Sequence, residues 1–86
     1  MDLAVIHTIR DHAGWQQALA DSQEYPPGFT LRSTVEATDG TRALCLWDAP
    51  SQAELQETLD SVLARVAIND VFPVEVGYFE GRDTST

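Results

Sequence analysis

The 86-residue sequence contains no lysine, and its five basic residues, all arginine, face 14 acidic ones. The formal net charge is therefore −9 at pH 7. Binding to a nucleic-acid backbone or to an anionic membrane surface needs clustered positive charge, which this composition does not supply. We therefore expect neither nucleic acid nor a membrane among the partners of this protein.

Cysteine occurs once, as Cys45, so no disulfide can form within the chain and nothing requires an oxidising compartment. Long hydrophobic runs are also missing, because His7 interrupts the first one and leaves it too short for a signal peptide or a membrane span. The sequence therefore predicts a cytoplasmic protein. Its length leaves no room for a two-domain Rossmann enzyme or a TIM barrel.

Hydrophobic periodicity predicts four strands and two helices in this short chain. Each helix has a capping signal: Asp11 precedes a helix that runs to about residue 23, and Ser51 forms a capping box with Glu54. Asp39-Gly40 between two strand patterns predicts a hairpin. The predicted strands cover residues 3–9, 29–37, 42–47 and 74–80, with a return loop at 68–73.

The predicted order β-α-β-β-α-β indicates an α+β protein with the ferredoxin-like fold. In that fold a four-stranded antiparallel sheet carries both helices on one face. Residues 1–80 form the single domain, and residues 81–86 form a polar C-terminal tail. Two helices cannot cover both faces of the sheet, yet the first and third strands are apolar on both faces. We therefore expect a homodimer that packs sheet against sheet and leaves a cleft for a small apolar or aromatic ligand in each subunit.

Two stretches of the sequence resemble the dimeric α/β-barrel superfamily, and in particular small actinobacterial proteins of that group. The first stretch is Val5-Ile6-His7-Thr8-Ile9-Arg10-Asp11 followed by Trp15, and the second is Cys45-Leu46-Trp47-Asp48-Ala49-Pro50-Ser51. The resemblance implies functions as varied as cofactor-independent monooxygenases, muconolactone-type isomerases, polyketide cyclases, haem-degrading enzymes and nickel-binding proteins. Fold-level likeness does not choose among these activities.

Three residues are candidates for catalysis. His7 lies among apolar neighbours in the first strand, where it is either a general base with a pKa near neutrality or a hydrogen-bonded strand histidine. Arg32 is either a fixed donor to a ligand oxygen or a charge that protects an edge strand. Tyr78 is either part of the core and dimer interface or a wall of an aromatic pocket, where its hydroxyl would donate a hydrogen bond to a phenol or quinone. If the protein is an enzyme, we expect cofactor-free chemistry from these residues: cyclisation or isomerisation by proton transfer, or oxygenation of a phenolic substrate.

Four further residues are candidates for ligand binding. Trp47 is either a wall of an aromatic pocket or part of the core and interface. Thr34 and Glu36 share the face of Arg32 if the second strand alternates regularly, and this face is either the ligand cleft or a solvated edge. Cys45 is either a ligand contact or a small buried strand residue.

A competing hypothesis is a non-enzymatic divalent-metal protein of the nickel-binding type. His7 and Cys45 become neighbours if the first and third strands pair, and a dimer doubles the ligand number. The spacing of His7, His12 and Cys45 matches no close-set ligand motif, so we expect no metal and no cofactor. A third hypothesis is a structural or regulatory dimer without a ligand.

Overall fold

In a computed structural model of the chain, the described residues are 1–21 and 25–77. They form the predicted order of elements and a four-stranded antiparallel sheet, in the spatial order β2-β3-β1-β4. This confirms the ferredoxin-like fold. The elements are β1 (Asp2–Ile9), α1 (His12–Asp21), β2 (Thr30–Glu36), β3 (Arg42–Asp48), α2 (Gln52–Leu63) and β4 (Ala67–Pro73). Neither described helix is long and apolar enough to cross a membrane.

Both helices begin where their caps predict. The carboxylate of Asp11 accepts a hydrogen bond of 3.1 Å from the backbone N–H of Gly14. Ser51 forms the complete capping box, because its hydroxyl accepts from the N–H of Glu54 at 3.1 Å and donates to the Glu54 carboxylate at 2.9 Å. Helix α1 extends to Asp21, and the predicted end near residue 23 lies outside the described residues.

The prediction for the last strand is wrong. Strand β4 covers Ala67–Pro73, where the sequence suggested a return loop, and residues 74–77 are not in a strand. Asn69 and Asp70 resemble a turn, but they are alternate positions of a strand: Asn69 faces the core and Asp70 faces outward. Only three residues connect the end of α2 at Leu63 to the start of β4 at Ala67. The part of the predicted strand at 78–80 lies outside the described residues.

The predicted regular alternation of β2 is also wrong. Leu31 pairs with Trp47, but Ser33 pairs with the next residue of β3, Leu46, so Arg32 is an extra residue in a β-bulge. The bulge inverts the two faces of the strand beyond it. Thr34 therefore shares a face with Leu31, whereas the sequence placed them on opposite faces.

One face of the sheet packs on the helices and forms the core. From β1 and β3 this face carries Leu3, Val5, Cys45 and Trp47, which pack with Trp15 of α1. Helix α2 contributes its leucine stripe, as its periodicity predicts, and β4 contributes Ala67 and Val71. The leucines of that stripe are Leu55, Leu59 and Leu63.

The opposite face of the sheet, here called the open face, has no helix on it. Ile6, Leu44 and Val35 are consecutive register partners across three strands and form an apolar row on this face. Their exposed fractions are 40%, 38% and 57%. The prediction that two helices leave one apolar sheet face uncovered therefore holds for the described residues.

Candidate functional site

A partly enclosed cavity of about 260 Å³ lies between the helices and the covered face of the sheet. Helices α1 and α2 contact each other only sparsely, and the space remains between them. Most of the wall is apolar. The residues with polar groups in it are, in addition to two tryptophans, His7, Tyr25, Thr34, Cys45, Thr58 and Ser61. Because an apolar cavity of about 150 Å³ can hold benzene, this one has room for a molecule of one or two rings.

The two indoles are those of Trp15 and Trp47, and both are buried. Neither indole N–H has a hydrogen-bond partner among the described residues. A buried donor without a partner costs about 1–3 kcal/mol, and most buried polar groups in proteins are paired. Two residues of one cavity wall therefore each carry a buried donor without a partner in the described part of the chain.

His7 lies in the same wall, on the helix-covered face, with a side chain that is 1% exposed. Its ring centroid is 4.7 Å from that of Trp15, at an interplanar angle of 55°. Burial lowers the pKa of His7, and the hydrogen bond to Asn69 offsets this only in part. The imidazole is therefore uncharged at neutral pH, which is the form that a general base requires.

A chain of hydrogen bonds leads from His7 to the surface of α2. The Nδ1 atom of His7 is 2.7 Å from Oδ1 of Asn69, its register partner on β4. Asn69 donates from Nδ2 to a carboxylate oxygen of Asp60 at 3.0 Å. Gln56 donates to both carboxylate oxygens of Asp60, at 3.2 and 3.1 Å, and to the backbone carbonyl of Asn69 at 2.7 Å.

Cys45 and Thr34 face each other across β3 and β2 in the cavity wall, with 3.5 Å between Sγ and Oγ1. Burial raises the pKa of the Cys45 thiol, which the contact with Thr34 offsets only in part. The thiol is therefore protonated at neutral pH and is a weak nucleophile. It acts as a small apolar part of the wall.

The structure brings together four of the predicted site residues and separates two others. His7, Thr34, Cys45 and Trp47 line the cavity. Arg32 does not, because it is half exposed and its guanidinium lies 3.3 Å from the Asp48 carboxylate.

Glu36 also lies outside the cavity wall, and its carboxylate is 2.7 Å from Nε2 of His12. Tyr78 lies outside the described residues.

The metal hypothesis receives limited support from this geometry. Strands β1 and β3 do pair as it requires, and His7 lies diagonally from Cys45, whose register partner is Val5. Thiolate is the form of cysteine that binds metal, and the raised pKa of Cys45 opposes its formation. Among residues 1–21 and 25–77, no group of three or more His, Cys, Asp or Glu side chains is placed to hold an ion.

Sequence patterns missed three residues of the site. Trp15 fits a helical core stripe, and nothing in that pattern shows that its N–H lacks a partner. Tyr25 lies in a Pro-Gly loop, but its ring stacks edge-on against Trp47, with 4.9 Å between centroids, and lines the cavity. Asn69 has the side chain of a typical turn residue. The one sequence feature that could have indicated a buried polar contact is that Asn69 lies between the β-branched residues Ile68 and Val71.

No family model, curated protein or solved structure matches this chain in sequence or fold comparisons. The function is therefore argued from the cavity itself.

Proposed function

We propose that this protein binds a small, largely apolar molecule with a carbonyl-type oxygen in the cavity between its helices and its sheet. The observation that carries the proposal is the pair of buried, unpartnered indole N–H groups of Trp15 and Trp47, two residues of a largely apolar cavity wall. Apolar walls with a few convergent polar groups are typical of ligand sites. An oxygen acceptor would recover the hydrogen bonds that these donors lack.

His7 supplies a general base for a reaction in the same cavity. Its uncharged imidazole can take a proton from the carbon next to the carbonyl group of the ligand. The electron pair of the broken C–H bond then forms an enolate, whose oxygen accepts a hydrogen bond from an indole N–H. Where the ketone carries a C=C bond next to that carbon, the enolate is conjugated with it, and the imidazolium returns the proton to the far carbon of that C=C bond while the double bond shifts into conjugation with the carbonyl group. The result is an isomerisation that consumes no oxidant and needs no cofactor.

Binding can be tested with 1-tetralone, a bicyclic ketone, and ¹⁵N-labelled protein. The chain has two tryptophans and both line the cavity, so the two indole N–H signals in an NMR correlation spectrum report directly on its occupancy. We expect saturable shifts of at least one of these signals. Unchanged indole signals at saturating ketone would overturn the proposal.

A matched pair of variants locates the binding. Thr58→Phe puts a ring into the cavity wall and should abolish the shifts, because the added side chain occupies the ligand volume. Glu57→Phe adds the same ring at the neighbouring, exposed position of α2, outside the wall, and should bind as the unmodified protein does. Equal binding by both variants would show that the ketone binds elsewhere.

We also propose that the open face is covered by a second copy of the chain. The row of Ile6, Leu44 and Val35 is continuous and exposed, and two such faces are self-complementary around a two-fold axis. Residues 22–24 and 78–86 include only Tyr78 and Phe79 as apolar side chains, so these segments supply little surface to cover it.

Sedimentation tests the second copy. We expect the protein at micromolar concentration to sediment at twice the chain mass of 9.5 kDa. Leu44→Glu, at the centre of the row, should give a monomer, whereas Ala53→Glu on the exposed side of α2 should not. A monomeric unmodified protein would refute the dimer and leave the cavity proposal standing.

A further inference from the structure

The orientation of the Asn69 side chain follows from its partners. A carboxylate can only accept hydrogen bonds, so the group of Asn69 that lies 3.0 Å from the Asp60 carboxylate must be the NH₂ donor. The amide oxygen of Asn69 is then the atom that lies 2.7 Å from His7. The opposite orientation would place two acceptor oxygens against each other at Asp60.

The tautomer of His7 follows in turn. An amide oxygen accepts, so Nδ1 of His7 must carry the proton and donate it to Asn69. Because burial keeps the ring uncharged, Nε2 has no proton and presents a lone pair. Nε2 has no hydrogen bond to any of the residues that the structure describes. Free imidazole side chains prefer the proton on Nε2, so this tautomer is imposed by the fold.

At the protein surface, the chain of hydrogen bonds that begins at His7 is held by Gln56. Asp60 is exposed, but Gln56 donates to both of its carboxylate oxygens and also to the backbone of Asn69. Gln56 thus ties the Asp60 carboxylate on α2 to the backbone of Asn69 on β4. This arrangement orients the histidine from the side opposite to a ligand, in the way that outer hydrogen-bond partners set the tautomer of metal-bound or catalytic histidines.

Building on the proposed function, we infer that Asp60 and Asn69 are positioning residues that hold His7 in its Nδ1–H tautomer, so that Nε2 accepts a hydrogen bond from a hydroxyl group of the ligand. The single lone pair of Nε2 serves one partner at a time, so it accepts from the hydroxyl of such a ligand and takes the C–H proton only of a ketone that lacks the hydroxyl. The ligand that makes both polar contacts carries two kinds of polar group. A carbonyl oxygen accepts from an indole N–H, and a hydroxyl donates to His7. The chemical class is a small, uncharged ring ketone that also bears a hydroxyl group.

The tautomer can be measured without any ligand. Long-range ¹H–¹⁵N correlation spectra of the unmodified protein at pH 7.5 should show a protonated, pyrrole-type Nδ1 and an unprotonated, pyridine-type Nε2 for His7. A protonated Nε2 in the unmodified protein would overturn the inference, whatever the behaviour of any variant.

Asp60→Asn tests the role of the carboxylate. The new amide can accept from or donate to Asn69, so the orientation of Asn69 is no longer fixed and His7 should show a mixture of tautomers. Asp70→Asn removes the same charge from an exposed position next to Asn69 and should leave the Nδ1–H tautomer unchanged. A purely structural role of Asp60 would leave the His7 nitrogen shifts the same in both variants.

A pair of ketones tests the ligand class. Titration calorimetry should give about tenfold tighter binding for 6-hydroxy-1-tetralone than for 1-tetralone, the gain expected for one hydrogen bond to a buried acceptor. The preference should fall in Asp60→Asn and persist in Asp70→Asn. Equal affinities in the unmodified protein would overturn this inference while leaving the proposed function intact. Binding of neither ketone would overturn the proposed function, and the tautomer measurement would still decide the role of Asp60 and Asn69.

Discussion

His7 and Asn69 are cross-strand register partners, and the hydrogen bond of 2.7 Å between their side chains lies in the buried layer of the sheet. The same bond links the cavity to the surface carboxylate of Asp60 through the amide of Asn69. An imidazole and an amide thus satisfy each other inside an apolar core, where either one alone would cost about 1–3 kcal/mol.

The first prediction concerns pH and stability. Burial lowers the pKa of His7 from 6.5 in the folded protein, so below pH 6.5 the unfolded chain binds the proton more readily. The free energy of unfolding should therefore decrease as the pH falls from 6.5 towards the folded-state pKa of His7. His7→Gln should flatten this decrease in urea titrations between pH 7.5 and pH 5.

Two comparisons identify the source of this pH dependence. His12→Gln changes the other, half-exposed histidine, and a decrease that persists in this variant but not in His7→Gln belongs to the buried ring. Asp48 and Asp39 contribute in a different range: the N-terminal ammonium group and Thr41, respectively, lower their pKa from 3.8. Their contributions should be lost only as the pH falls below about 4. An unchanged slope in His7→Gln between pH 7.5 and 5 would contradict the prediction.

The second prediction concerns proton transfer. In D₂O the protein should accelerate the exchange of the C2 hydrogens of 1-tetralone, followed by ¹H NMR, because His7 can remove one of them. His7→Gln should lose the acceleration, by about a hundredfold if general base catalysis is responsible. His12→Gln should exchange as fast as the unmodified protein. Binding of the ketone without accelerated exchange would support the proposed binding and refute the proposed proton transfer.

The third prediction concerns the reactivity of Cys45. Because the thiol is buried and its pKa is raised, little thiolate is present at pH 8 and it is poorly accessible. Iodoacetamide should therefore alkylate the folded protein much more slowly than the urea-unfolded chain, as followed by mass spectrometry. Equal rates in the two states would show that the thiol is exposed.

The fourth prediction concerns Gly14 in α1. Replacing glycine by alanine within a helix normally stabilises it by about 1 kcal/mol. Here the new Cβ would lie 2.5 Å from the Asp11 carboxylate and 2.7 Å from a methyl group of Val66. Asp11 can move only by giving up its capping bond to Gly14, and overpacking costs about 1–3 kcal/mol. Gly14→Ala should therefore destabilise the protein in urea unfolding, whereas Gln16→Ala, exposed on the same helix, should not. A stabilised Gly14→Ala protein would contradict the close packing.

Local sequence signals predicted the fold well. The two helix starts are marked by hydrogen bonds to Asp11 and Ser51, and the hairpin is marked by the positive φ of Gly40. Each of these signals depends only on a few neighbouring residues. The last strand was missed because Asn69-Asp70 has the composition of a turn. Its true role depends on Asp60 and His7, which lie 9 and 62 residues away along the chain.

The candidate site was predicted only in part. His7, Cys45 and Trp47 follow from apolar strands whose alternation is regular. Thr34 lines the cavity, but the sequence placed it on the opposite face, because an inserted residue in one strand is visible only when its partner strand is known. Whether the two indole N–H groups have hydrogen-bond partners depends on how three elements pack together, and no sequence pattern indicates it.

The bulge at Arg32 has a consequence for comparing this chain with others. Strand β2 lies at the edge of the sheet. Odd-numbered residues face the cavity before the bulge and even-numbered residues face it after the bulge, so simple alternation from Leu31 assigns every later residue of the strand to the wrong face. A relative that lacks the extra residue keeps the counterpart of Thr34 on the cavity face, but an alignment that puts the gap after the strand instead of at Arg32 matches that counterpart with Ser33, which lies on the open face. Gap placement at this single position therefore determines which residues are compared as ligand contacts.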